Sequence, residues 1–106
     1  MVRSLARVAH PVAAGAFAAC AVVQVFLAGV GVFDDPGAFV THREFGYLLG
    51  WLTLVVLILA LAGRMSRRII AMSVLLLVLF ALQSMFVALR VELPAVAVLH
   101  PLNGFA

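Results

Sequence analysis

The sequence predicts an all-α integral membrane protein, a helical bundle of three full transmembrane helices plus a short or truncated fourth. Two observations carry that prediction. Of the 106 residues, 67% are hydrophobic and only 10% charged, whereas a soluble domain is about half apolar and about a quarter charged. The apolar residues also come in long runs, three of them near the ~20 residues a helix needs to cross a bilayer. Polar stretches between the runs are too short for a second domain, so residues 1–106 read as a single transmembrane helical domain.

Span 1 is predicted at about 12–33. The preceding "MVRSLARVAHPVAAGAFAAC" resembles a signal peptide, with Arg3 and Arg7 as its basic region. The apolar run, however, continues past Cys20 to Phe33, too long for a leader's core, so we read a retained helix. Span 2 is predicted over about 36–63. "DDPG" is its start signal, with Asp35 as N-cap and Pro36 at the first helical position. Span 3 covers about 69–89. A fourth apolar segment, 94–106, reads "PAVAVLHPLNGFA". As a helix it would rise only ~20 Å, short of a ~30 Å hydrocarbon core, and we read it as a span cut short. Proline disfavours the α conformation at the residue before it. Pro101 therefore predicts a helix start or kink beside His100, which lifts His100 nearer the surface.

Charge sets the orientation. The net charge is +3, but the few basic residues sit at span ends, which excludes a nucleic-acid surface. All of them are arginine, a weak pointer to a high-GC bacterial genome. Arg3, Arg7, Arg64, Arg67 and Arg68 share one side with no acid. The other side holds Asp34, Asp35, Glu44 and Glu92 against Arg43 and Arg90. The positive-inside rule then puts the N-terminus in the cytoplasm, in a bacterial cytoplasmic membrane. His42 and His100 both fall near the outer face.

An internal repeat links those histidines. "PGAFVTHREFG" from Pro36 and "PAVAVLHPLNG" from Pro94 both read Pro-x5-His-x3-Gly, at an offset of 58. Gln24 and Gln83 precede the histidines by 18 and 17 residues, each the main polar group within its span. Spans 1–2 and 3–4 thus read as parallel copies about a pseudo-twofold along the membrane normal. Two histidines at equal depth on diagonal helices face each other across a four-helix bundle. Gly46 and Gly104, one turn later, lie on the faces of their histidines. The missing side chains would clear room for a flat ligand.

Paired imidazoles in a bundle suit haem iron with two axial ligands. His42 and His100 are the candidate metal ligands. The bland alternative is two interfacial histidines in contact with headgroups and water. Arg43 and Arg90 are placed to meet haem propionates, or else to pair with Glu44 and Glu92. Gln24 and Gln83 would bond between helices or reach a haem edge. His10, which has no counterpart, reads as interfacial. The single Cys20 permits no internal disulfide. There is no phosphate loop, no zinc-type ligand set and no Ser-His-Asp combination, and nothing points to an enzyme.

"HREFG" resembles the His-Arg-x-x-Gly motif of haem A synthases through His42, Arg43 and Gly46. Each half of those enzymes is a four-helix bundle with histidines on its second and fourth helices. The resemblance implies haem binding by His42 and His100. It departs at Ala38, Phe39 and Val40, where those enzymes carry a Glu. "QVFLAGVGVF", "HREFGYLLG" and "LHPLNGFA" together resemble an uncharacterised family of small four-helix bacterial membrane proteins.

The expected function is a small b-type haem protein in electron transfer or redox sensing. Its cofactor would be haem b and its partners the lipid bilayer and a redox protein or larger membrane complex. A homo-oligomer is compatible with this reading. The alternatives are a cofactor-free membrane subunit or scaffold, and a carrier for a lipid-soluble compound such as a quinone.

Overall fold

The computed structural model describes residues 1–104. Five helices follow in order: α1 (Val2–Phe33), α2 (Ala38–Ala62), α3 (Arg67–Ala88), α4 (Pro94–Ala97) and α5 (Leu99–Gly104). The first three are long and apolar enough to cross a bilayer. At 1.5 Å per residue α1 is roughly 48 Å long, matching the 47 Å long axis of the molecule.

α1 begins at Val2, ten residues before the predicted span. Arg3, Arg7 and His10 therefore lie in its first turns. Pro11 lies inside this helix.

α2 starts two residues later than predicted. Pro36 sits in a turn, and the Asp35 carboxylate accepts the Gly37 N–H at 2.9 Å instead of capping from the N-cap position. α3 keeps its predicted bounds to within two residues and is capped by Ser66, whose hydroxyl accepts the Ile69 N–H. The fourth segment is broken at Val98, three residues before Pro101. Pro101 thus lies in the first turn of α5, where a missing N–H costs no helical hydrogen bond. The last two residues of the segment as predicted fall outside the described part.

α2 is the central helix, packed between α1 and α3, while α3 also carries α4 and α5. Its buried residues Leu49, Thr53, Val56 and Ala60 recur at 4-3-4 spacing, the signature of one helix face. Small residues let side chains of neighbouring helices in. The Phe39 ring lies over Gly31, where a Cβ would be only 2.8 Å away. Phe80 of α3 lies over Gly50, where a Cβ would meet it at 2.9 Å. Most large apolar side chains point outward, among them Val22, Phe26, Trp51, Ile58 and Leu75. Such a surface has its natural solvent in lipid hydrocarbon.

The five-arginine end is fastened by Arg7. Its Nε donates to the Gly63 carbonyl at 2.8 Å and its Nη2 to the Arg64 carbonyl at 3.2 Å. These carbonyls at the end of α2 have no helical partner, and a cation there also suits the helix dipole. The end of α2 is a Schellman turn, with Met65 N–H on Ala60 C=O and Arg64 N–H on Leu61 C=O. Arg64 takes the left-handed position of that turn, at φ 46°. At the same end His10 contacts the Ser73 hydroxyl at 3.4 Å, linking α1 to α3. His10 is thus half-buried between helices rather than purely interfacial.

Candidate functional site

Two glutamine–histidine clamps stand at the opposite end. In the first, the His42 Nδ1 lies 3.1 Å from the Gln24 backbone carbonyl, and the Gln24 amide returns a bond to the His42 carbonyl at 2.9 Å. In the second, the His100 Nδ1 lies 3.0 Å from the Gln83 carbonyl, and the Gln83 Nε2 lies 3.3 Å from the His100 Nε2. The two pairs share the contact of the histidine Nδ1 with the glutamine carbonyl; they differ in where the glutamine amide goes, to a backbone carbonyl in the first and to an imidazole nitrogen in the second.

These bonds place the ring protons. A carbonyl can only accept, so Nδ1 carries a proton in both rings, and in His100 the Nε2 facing the Gln83 amide keeps its lone pair. The Nε2 of His100 accepts from the Gln83 amide. The rings meet across the bundle with centroids 6.3 Å apart and planes at 79°. α2 and α5 do not otherwise pack, nor does α1 pack against α5. The histidines therefore bridge an otherwise open diagonal.

Gly46 and Gly104 serve the clamps. A Cβ at Gly46 would sit 3.0 Å from Gln24 Nε2, and one at Gly104 would sit 3.2 Å from Gln83 Nε2. The space predicted for a flat ligand is filled here by a glutamine amide from the neighbouring helix.

The two copies differ in how the glutamine oxygen is satisfied. Asn103 donates through Nδ2 to Gln83 Oε1 and to the Leu79 carbonyl, both at 2.9 Å. The repeat-related residue on α2 is Phe45, which has no donor. Gln24 Oε1 is accordingly buried without a hydrogen-bond partner among the described residues. Asn103 is the site residue that the sequence reading missed. Its signal was the polar residue three after His100 in an apolar helix.

The outer arginines diverge too. Arg43 pairs with Glu44 at 3.4 Å, both side chains more than half exposed, which contributes little. Arg90 donates to the Val87 carbonyl at 2.9 Å. It lines an open groove of about 500 Å³ that also takes in His100.

Residues 24–89 match a family of unknown function, DUF6220. The chain belongs to that family. The match opens on Gln24 and takes in His42, Gly46 and Gln83, so all of the first clamp lies inside it. His100, Asn103 and Gly104 lie beyond it. No curated protein and no solved structure matches the chain.

Proposed function

We propose that this chain is a small b-type haem protein of the bacterial cytoplasmic membrane, with His42 and His100 as axial ligands near the outer face. The distance between the two rings carries the reading. Two imidazoles bonded to one metal at about 2 Å each have centroids roughly 6 Å apart once ring radii are added. The 6.3 Å separation of the rings is compatible with both imidazoles holding one metal ion.

The donor set fits in a second respect. A metal-ligating histidine usually donates its other N–H to a carbonyl or carboxylate, and the Gln24 and Gln83 carbonyls receive those protons here. Haem in such a site supplies one-electron redox chemistry. The chain's own residues would orient both imidazoles, exclude water with apolar walls and offer Arg43 and Arg90 to anionic groups at the rim. Gln83 would have to release the Nε2 of His100. The resemblance of "HREFG" to haem A synthases supports the same ligand. With five arginines at one end and none of the acids, the positive-inside rule puts the N-terminus in the cytoplasm.

The experiment is an absorption spectrum of protein expressed with ample haem, oxidised and reduced. A Soret band that shifts on reduction, and that is lost in His42→Ala and His100→Ala, supports the proposal. Absence of the band, or haem content unchanged in both variants, rejects it. One observation favours a second reading, a cofactor-free membrane scaffold. The Gln83 amide already occupies the Nε2 of His100, so both clamps close without a ligand. That reading predicts a silent spectrum and co-purification with a larger complex.

A further inference from the structure

The cavity beside His100 occupies the place that an aromatic ring fills in the other half of the repeat. In the first half the Phe39 ring lies over Gly31 and meets His42 edge-on, with centroids 6.4 Å apart and planes at 87°. The histidine register relates Phe39 to Ala97, and the glutamine register relates Gly31 to Arg90. A phenyl ring and a bare backbone have thus become a methyl group and a guanidinium. The space so vacated is an open groove of about 500 Å³, lined by Val87, Pro94, Ala97, Val98 and Pro101, most of them exposed, with Arg90 and His100 as its polar groups. Its size falls within the ~300–1,000 Å³ of small-molecule sites.

We propose that this groove binds the head of a lipid-soluble molecule: a single flat ring bearing an acceptor oxygen, the chemistry of a quinone. The ring takes the place of Phe39's counterpart, edge-on to His100. Among the described residues Arg90 spends one donor, on the Val87 carbonyl at the end of α3; its remaining N–H groups are available to a ring oxygen. The walls are apolar, and the site lies at the end of a helix that crosses the bilayer, so a hydrocarbon tail leaves the cavity directly into lipid. His42 does not line the cavity. The inference stands whether or not the two histidines hold iron.

The test is a binding titration of the full chain in detergent micelles with a decyl-substituted benzoquinone, read by calorimetry and by the shift in unfolding midpoint. Wild type is expected to bind saturably. Ala97→Phe rebuilds the ring that the other half carries. It should abolish binding without lowering the unfolding midpoint, which separates a filled cavity from a damaged fold. Arg90→Gln should weaken binding about tenfold or more, as loss of a hydrogen bond to a charged group predicts. Dodecanoate, a tail with a carboxylate and no ring, should bind at least tenfold more weakly. Equal binding of dodecanoate would overturn the ring assignment. Undiminished quinone binding by Ala97→Phe would overturn the location. Should Ala97→Phe lose haem while wild type fails to bind the quinone, the cavity belongs to the haem site and the proposal falls.

Discussion

Gly46→Ala tests the clamp most directly. The added Cβ would stand 3.0 Å from Gln24 Nε2, tighter than an ordinary van der Waals contact. That amide is already held at 2.9 Å by the His42 carbonyl. Either the hydrogen bond stretches or α1 and α2 move apart. Interhelical hydrogen bonds in membrane proteins average about 0.6 kcal/mol, with a ceiling near 1.7. The methyl group also returns helix propensity, up to about 1 kcal/mol for Gly to Ala, so the raw effect is a difference of opposing terms. Gly29→Ala on α1 isolates the propensity, because a Cβ there meets nothing within 4 Å. Relative to that control, Gly46→Ala should be destabilised by about 0.6 to 1.7 kcal/mol in reversible unfolding in mixed micelles. A double-mutant cycle completes the test. With Gln24→Leu in place, the excess cost of Gly46→Ala should vanish, since the amide it displaces is gone. An excess cost that survives in the Gln24→Leu background, or no excess over Gly29→Ala at all, would refute the reasoning.

Other outcomes follow from the same geometry. Arg64→Gly should raise stability by up to about 1 kcal/mol in the same unfolding assay, because glycine takes the left-handed position without Cβ strain. Arg7→Met keeps the apolar stem and removes both bonds to the end of α2. Amide exchange at Arg64 and Met65 should accelerate several-fold if those bonds hold the turn closed. Phe45→Asn should be more stable than Phe45→Ala by about 1 kcal/mol, since only Asn offers Gln24 Oε1 a donor, and leaving a buried acceptor unmade costs about 1–3 kcal/mol. His100→Ala should free the Gln83 amide and leave the Asn103 bond intact. The Gln83 side-chain amide resonances should shift while those of Gln24 stay in place.

The three long helices were legible in the sequence, and so was the interhelical role of Gln24, though not its partner His42. Length and hydropathy set the three long helices, because a bilayer imposes one length on every span. The 18-residue separation of Gln24 and His42 straddles a tight turn and so places the two at one height on adjacent helices. The start of α1 escaped because Arg3, Arg7 and His10 look like a polar preface. Arg7 in fact reaches a partner 56 positions away, and no local pattern encodes that. The role of Gly46 and Gly104 was half legible. Their spacing put them beside the histidines, but whether the gap would take a ligand or a neighbour's amide depends on helix separation, which periodicity does not report.

The two glutamine–histidine pairs can be compared position by position, and their differences are where the two sides of the bundle part. Here the shared part is glutamine, histidine and glycine, with the histidine Nδ1 on the glutamine carbonyl in both halves and the glutamine amide on different acceptors. A shared part of that kind explains how two imidazoles come to lie at one depth, each with a proton on Nδ1. The differences fall around it at three places. Phe45 against Asn103 leaves one glutamine oxygen unsatisfied and the other doubly tied into α3 and α5. Gly31 against Arg90 puts a guanidinium beside His100 in the second half. Phe39 against Ala97 removes a ring from the second half and leaves an open groove of about 500 Å³. The first copy is therefore the packed one and the second the open one. The unsatisfied oxygen nonetheless lies in the packed copy, where in low dielectric it is most costly. The two histidines tie both clamps to one point, so binding there should protect α1 around Gln24 from amide exchange as well as α5 around His100.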